Sequence, residues 1–187
     1  MLGSRRSRLT TILIIAILAV VVVIIAACGT KTTSGQGAPA AIATTVSPTT
    51  PAADLKVSGV IAARGFVAFT AYIGFNGSID NACQALQGAE SSYVKTVTEY
   101  EITESDARDG LQDICSQNAG QTVDKAAAAN DLLGIIIHQQ GYTNGQVCTT
   151  TMSDQIAEGA AQAMAKQNHL ELSKALFLAQ LDRNCGH

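Results

Sequence analysis

Hydrophobic and polar positions divide the chain into three stretches of different texture. Arg5, Arg6 and Arg8 come first, followed by an uncharged apolar run from Ile12 to Ala27. From Gly29 to Asp54 large apolar residues almost vanish, and Thr, Ser, Ala and Gly surround Pro39, Pro48 and Pro51. From Leu55 to His187 there is no proline, and apolar residues recur at the i, i+3, i+4, i+7 spacing of one helix face. Val57, Val60, Ile61, Ala68, Ala71, Tyr72 and Phe75 predict a first helix, and Ala129, Leu132, Leu133, Ile136, Ile137 and Gln140 a second. Cys148, Met152, Ile156, Gly159 and Ala163 repeat the pattern, as do Leu172, Ala175, Leu176 and Ala179. The Ile135-Ile136-Ile137 run has the look of a strand, but its flanks continue the helical period. The predicted fold class is therefore all-α.

The first stretch has the parts of an export signal in order: a positive start, an apolar run, then small residues. Ile25-Ala26-Ala27-Cys28 resembles the lipobox of bacterial lipoproteins. That resemblance implies a diacylglyceryl group on the Cys28 thiol and cleavage before it, making Cys28 the lipidated N-terminus. The alternative is an uncleaved span, since Leu9 to Ala27 approaches the ~20 residues a membrane helix needs; the arginines would keep its N-terminus inside. Ser4-Arg5-Arg6 also resembles a twin-arginine signal, although so hydrophobic a run favours the general export route. Each reading places the remainder outside the cytoplasm. A single acyl chain gives marginal attachment and two chains hold stably, so a diacylglyceryl anchor at Cys28 suffices for the outer face of the cell membrane.

Charge then narrows the partners. The chain has 12 basic and 15 acidic residues; without Arg5, Arg6 and Arg8 the balance becomes −6. An acidic surface argues against nucleic acid and against electrostatic docking on anionic lipid. The second stretch cannot bury enough surface to offset its ordering entropy and reads as a disordered tether. Its reach is roughly 30 Å. Thr44, Thr45, Thr49 and Thr50, close to prolines, are candidate O-glycosylation sites, with an unmodified spacer as the alternative.

Beyond Cys28 four cysteines remain, Cys83, Cys115, Cys148 and Cys185, an even number in an exported chain. Three pairings are possible. An internal repeat selects Cys83–Cys115 and Cys148–Cys185. One half runs Ile73-Gly74-Phe75, Cys83, then Leu111 to Cys115; the other runs Gln140-Gly141-Tyr142, Cys148, then Leu181 to Cys185. In each, a helix is expected to end at Gly plus an aromatic, a cysteine to open the next helix, and a second cysteine to close the last. The resulting organisation is residues 1–27 as signal, 28–54 as lipidated N-terminus and linker, 55–120 as half one, and 121–187 as half two.

Each half resembles the small exported helical domain of unknown function found in mycobacteria and their relatives. The resemblance rests on an apolar helix, Gly plus an apolar residue, Cys83, Gly88 five residues on, and a final helix ending at Cys115. Half two departs from it: Gly159 comes late after Cys148, and Gly186 follows Cys185 where the family commonly has proline. The resemblance implies an all-α fold and no established activity. Lipoproteins of this type also occur in phages of those bacteria, which adds an exclusion or immunity role to the alternatives.

Candidate chemistry is sparse. His138 and His169 lack the spacing of a metal pair, and His187 stands alone at the end; His138 reads as a helix-end residue near the C-terminal dipole. Glu99, Glu101, Glu104, Asp106, Asp109 and Asp113 lack the turn glycine and alternating oxygens of a calcium loop. Glu104 and Asp106 suit a helix N-terminus capped by Thr103 or Ser105. There is no G-x-S-x-G elbow and no glycine-rich phosphate loop. Arg64 sits in an apolar helix face, as a snorkelling surface residue, an ion-pair partner or a ligand contact. Met152, Ile156, Met164, Leu170, Phe177 and Leu178 form a stripe that suits either a core or a groove. The expectation is a non-enzymatic, cofactor-free envelope protein that contacts another protein, a glycan or a lipid. Its alternatives are a carrier of an apolar small molecule and the phage role.

Overall fold

The computed structural model describes residues 55–186; the signal, Cys28, the linker and His187 lie outside the described residues. The described part is all-helical. Half one contributes α1 (Gly59–Gly74), α2 (Ile79–Gln87), α3 (Glu90–Thr98) and α4 (Glu104–Gln117). Half two contributes α5 (Lys125–Gln140), α6 (Asn144–Val147), α7 (Thr150–Ala165) and α8 (Lys174–Cys185). Each half thus opens with a 16-residue helix and closes with a helix carrying its second cysteine. No described helix is long and apolar enough to cross a membrane.

Caps fix where these helices begin. Ser58, Ser78, Thr103, Asp124, Thr143 and Ser173 each accept a hydrogen bond from a backbone N–H of the following first turn. This satisfies donors that have no partner within the helix. Thr103, rather than Ser105, caps α4, and Glu104 and Asp106 occupy its first turn as expected.

Helix α1 is the hub, packed between α4 and α5 and against α2. The single-sided stripe expected for α1 is therefore wrong. Ala62, Ala63, Phe66, Val67, Phe69 and Ala71 are buried around most of its circumference, while Ile61 is 59% exposed. A helix enclosed by neighbours is apolar on nearly every side, so its period carries little information about facing. Two glycines permit the close crossings. A Cβ on Gly110 of α4 would lie 2.5 Å from Ala63 Cβ and 2.9 Å from Val60 O. One on Gly65 of α1 would lie 3.1 Å from Asp131 O of α5.

One continuous core joins both halves. In half one it centres on Phe66, whose ring lies 6.0 Å from Tyr93 and 5.7 Å from Tyr100. In half two Leu132, Leu133, Ile135, Met164, Leu172 and Phe177 fill it. The stripe of uncertain role is mostly core: Ile156, Met164 and Phe177 are buried, Met152 and Leu178 pack against the core, and only Leu170 stands out, 73% exposed. The face of α8 also differs from expectation. Ala175 and Ala179 are exposed, whereas Phe177, Gln180 and Leu181 turn inward. Burying the large Phe177 and Leu181 outweighs burying two alanines.

Both expected cystines are present, Cys83–Cys115 with Cα atoms 5.7 Å apart and Cys148–Cys185 with Cα atoms 5.5 Å apart. Their local settings depart from the expected repeat. Cys83 lies inside α2, and Cys148 caps the short α6, so neither opens a helix. The Gly-aromatic pairs are not equivalent either. Gly141 is the left-handed cap of α5, but Gly74 is the last residue of α1 and the left-handed positions fall on Asn76 and Gly77.

Candidate functional site

A cavity of about 320 Å³ opens at the seam where α1, the end of α4 and the start of α5 meet. Ile61, Arg64, Gly65 and Ala68 come from α1, Ile79 from α2, and Ile114 and Asn118 from the end of α4. Gln121, Thr122 and Val123 of the connecting loop and Ala127 and Asp131 of α5 complete the wall.

Its rim is knitted by the backbone. Val123 N donates to Gly77 O (2.8 Å), Ile79 N donates to Gln121 O (3.3 Å), and Ser78 and Thr122 form an antiparallel bridge. Gly120 N donates to the Asp80 carboxylate at 3.0 Å and 3.1 Å. The Cys83–Cys115 cystine ties α2 to α4 one residue beyond Ile114. The walls are thus set before any ligand arrives.

Two charged residues line the interior, Arg64 and Asp131, and Asp113 pairs with the first from outside the wall. Arg64 Nη1 lies 2.7 Å from Asp113 Oδ2, and Gln117 Nε2 donates to the other oxygen of Asp113. Arg64 pairs with Asp113 while its side chain stays 37% exposed, so the pair is a partly solvated one on a surface-reaching arginine. Asp131 accepts no hydrogen bond from any described residue. Burial pushes its carboxyl up to about 7, and the nearby positive charge of Arg64 opposes that only in part. Sequence reasoning missed Asp131. Its signal was available, as the only carboxylate in the 16 residues of α5.

The other candidates are structural. His138 Nδ1 lies 2.7 Å from Val57 O and Nε2 lies 3.2 Å from Glu101 O; carbonyls only accept, and a neutral ring with its N–H on Nδ1 donates to the nearer, Val57 O. It places α5 between Val57, among the first described residues, and the α3–α4 corner, which is more specific than a dipole contact. His169 faces Glu171 instead, with Nδ1 3.1 Å from Oε1. No group of His, Cys, Asp and Glu suited to a metal occurs among the described residues. The acidic row is solvated and locally paired: Arg108 bridges Glu90 and Glu104 on the surface. Glu99 and Asp109 are exposed.

Ordered walls, a lining of mixed polarity and one carboxylate without a hydrogen-bond donor among the described residues can hold a small molecule. The only hydroxyl among the lining residues is that of Thr122, and no histidine or lysine accompanies it there. Set beside known proteins, the chain matches no family model, no curated protein and no solved structure.

Proposed function

We propose that this chain is a lipid-anchored protein of the cell envelope, acylated at Cys28, whose helical ectodomain works by non-enzymatic binding. The observation that carries the reading is the complete pairing of Cys83, Cys115, Cys148 and Cys185. Cystines of this kind persist in oxidising compartments and are rare in the cytosol, which agrees with an export signal ahead of Cys28. The resemblance of each half to the exported mycobacterial domain supports the same compartment. The seam cavity favours one of the alternatives in reduced form: a carrier of a small molecule rather than of a whole lipid.

Labelling cells with a palmitate analogue tests the anchor. The full chain should take up label and fractionate with membranes, and Cys28→Ala should lose both. Unlabelled wild-type protein would remove the anchor, and turnover of a cell-wall or lipid substrate by purified protein would remove the binding role.

A further inference from the structure

We propose that the seam cavity binds a small organic ammonium ion, with the charged nitrogen against Asp131 and an apolar body on Ile61, Ala68, Ile79 and Ile114. The proposal deepens the binding role above and does not depend on acylation of Cys28. Charge accounting leads to it. Arg64 and Asp113 neutralise each other at 2.7 Å, and Gln117 occupies the second oxygen of Asp113. The surplus at the cavity is therefore the single negative charge of Asp131, which no described residue donates to.

Asp131 is partly buried and still touches solvent, so water is its only donor; a ligand bringing both N–H groups and a positive charge replaces that water at the cavity wall. An anion would meet the surplus negative charge. A neutral alcohol would supply one hydrogen bond and leave the charge uncompensated. A bare metal ion needs several oxygen ligands; Asp131 is the only carboxylate among the lining residues, and no His, Cys, Asp or Glu groups with it to hold a metal among the described residues. Size selects further, because about 320 Å³ lies at the small end of ligand sites. The occupant is an amine with one ring or a short branched chain. The hydrogen-bonded rim and the Cys83–Cys115 cystine hold this shape in advance, which limits the ordering cost of binding.

Three probes of matched size separate the possibilities: benzylamine, benzyl alcohol and benzoate, titrated into the full-length chain in detergent micelles at pH 8. Ligand-observed NMR, with empty micelles as the reference, reads saturable binding. Benzylamine should saturate, with the alcohol and benzoate each at least about tenfold weaker. Asp131→Asn should weaken benzylamine about tenfold while leaving thermal unfolding cooperative. Ala127→Trp, which fills the wall without altering charge, should abolish binding. The proposal falls if benzylamine does not saturate, if benzoate binds as well, or if Asp131→Asn binds benzylamine unchanged. Failure of the anchor would appear in palmitate labelling instead, so the two outcomes are distinguishable.

Discussion

Two tyrosines in one cluster show how a single hydroxyl changes the balance at a residue. Tyr93 donates to Ala107 O at 3.1 Å, whereas the Tyr100 hydroxyl is buried with no hydrogen-bond partner among the described residues. Burial raises the pKa of both phenols. Removing a satisfied hydroxyl costs about 1 kcal/mol, and removing an unsatisfied one is neutral or favourable. Tyr93→Phe should therefore lower the urea midpoint and Tyr100→Phe should leave or raise it. Asp131 follows from the same physics with a charge added. Below about pH 4 the carboxyl is protonated in both folded and unfolded chains. As pH rises toward 7 the unfolded chain loses that proton first, so stability falls, and the full cost persists above 7. Asp131→Asn should match wild type near pH 4 and exceed it at pH 8 by on the order of 2–4 kcal/mol. Urea titrations at the two pH values would decide this; equal midpoints at pH 8 would contradict it.

At the level of elements, glycines separate crossings that must be close from helices with room to spare. Gly110→Ala places a methyl against Ala63 and the Val60 carbonyl, and should cost about 1–3 kcal/mol despite alanine's higher helix propensity. Gly134 lies inside α5 with nothing within 4 Å of an added Cβ. Gly134→Ala should stabilise by about 0.5–1 kcal/mol. Thermal melts of the pair should move in opposite directions. The same contrast explains what the sequence made legible. Helical period marked the position of α5 but not its facing, since Ala128, Ile135 and Ile137 are buried as well as Ala129, Leu132, Leu133 and Ile136. It misled for α1, which is enclosed, and for α8, where alanines mimicked a face that Phe177 and Leu181 set. Cysteine order revealed both cystines, but not that Cys83 lies within a helix and Cys148 caps one. Arg64 stood out as a charge on an apolar helix. Asp131 gains its meaning only when the crossing at Gly65 brings α5 against α1, and no local pattern records that approach.

On the scale of the whole molecule, two covalent closures brace a chain with few aromatic residues and no Trp. They span 32 and 37 residues, so each contributes about 3–4 kcal/mol in the chain-entropy model. Replacing either pair by serines should lower stability by that order in urea. Only the Cys83/Cys115 pair should also loosen the cavity, read as weaker benzylamine binding, since it ties α2 to α4, which supply Ile79, Ile114 and Asn118 to the wall, whereas α6 and α8 supply no wall residue.

The docking of the chain's first described residues has a mechanical meaning. Asn144 N donates to Leu55 O at 3.0 Å, Lys56 pairs with Thr143, and His138 donates to Val57 O. A pull on the residues before Leu55 therefore enters at the α5–α6 corner, in the opposite half from the helix that follows in sequence. From there Cys148–Cys185 hands the tension across a covalent bond to α8. Because α5 also carries Ala127 and Asp131, a load entering at that corner reaches the cavity wall along the helix axis.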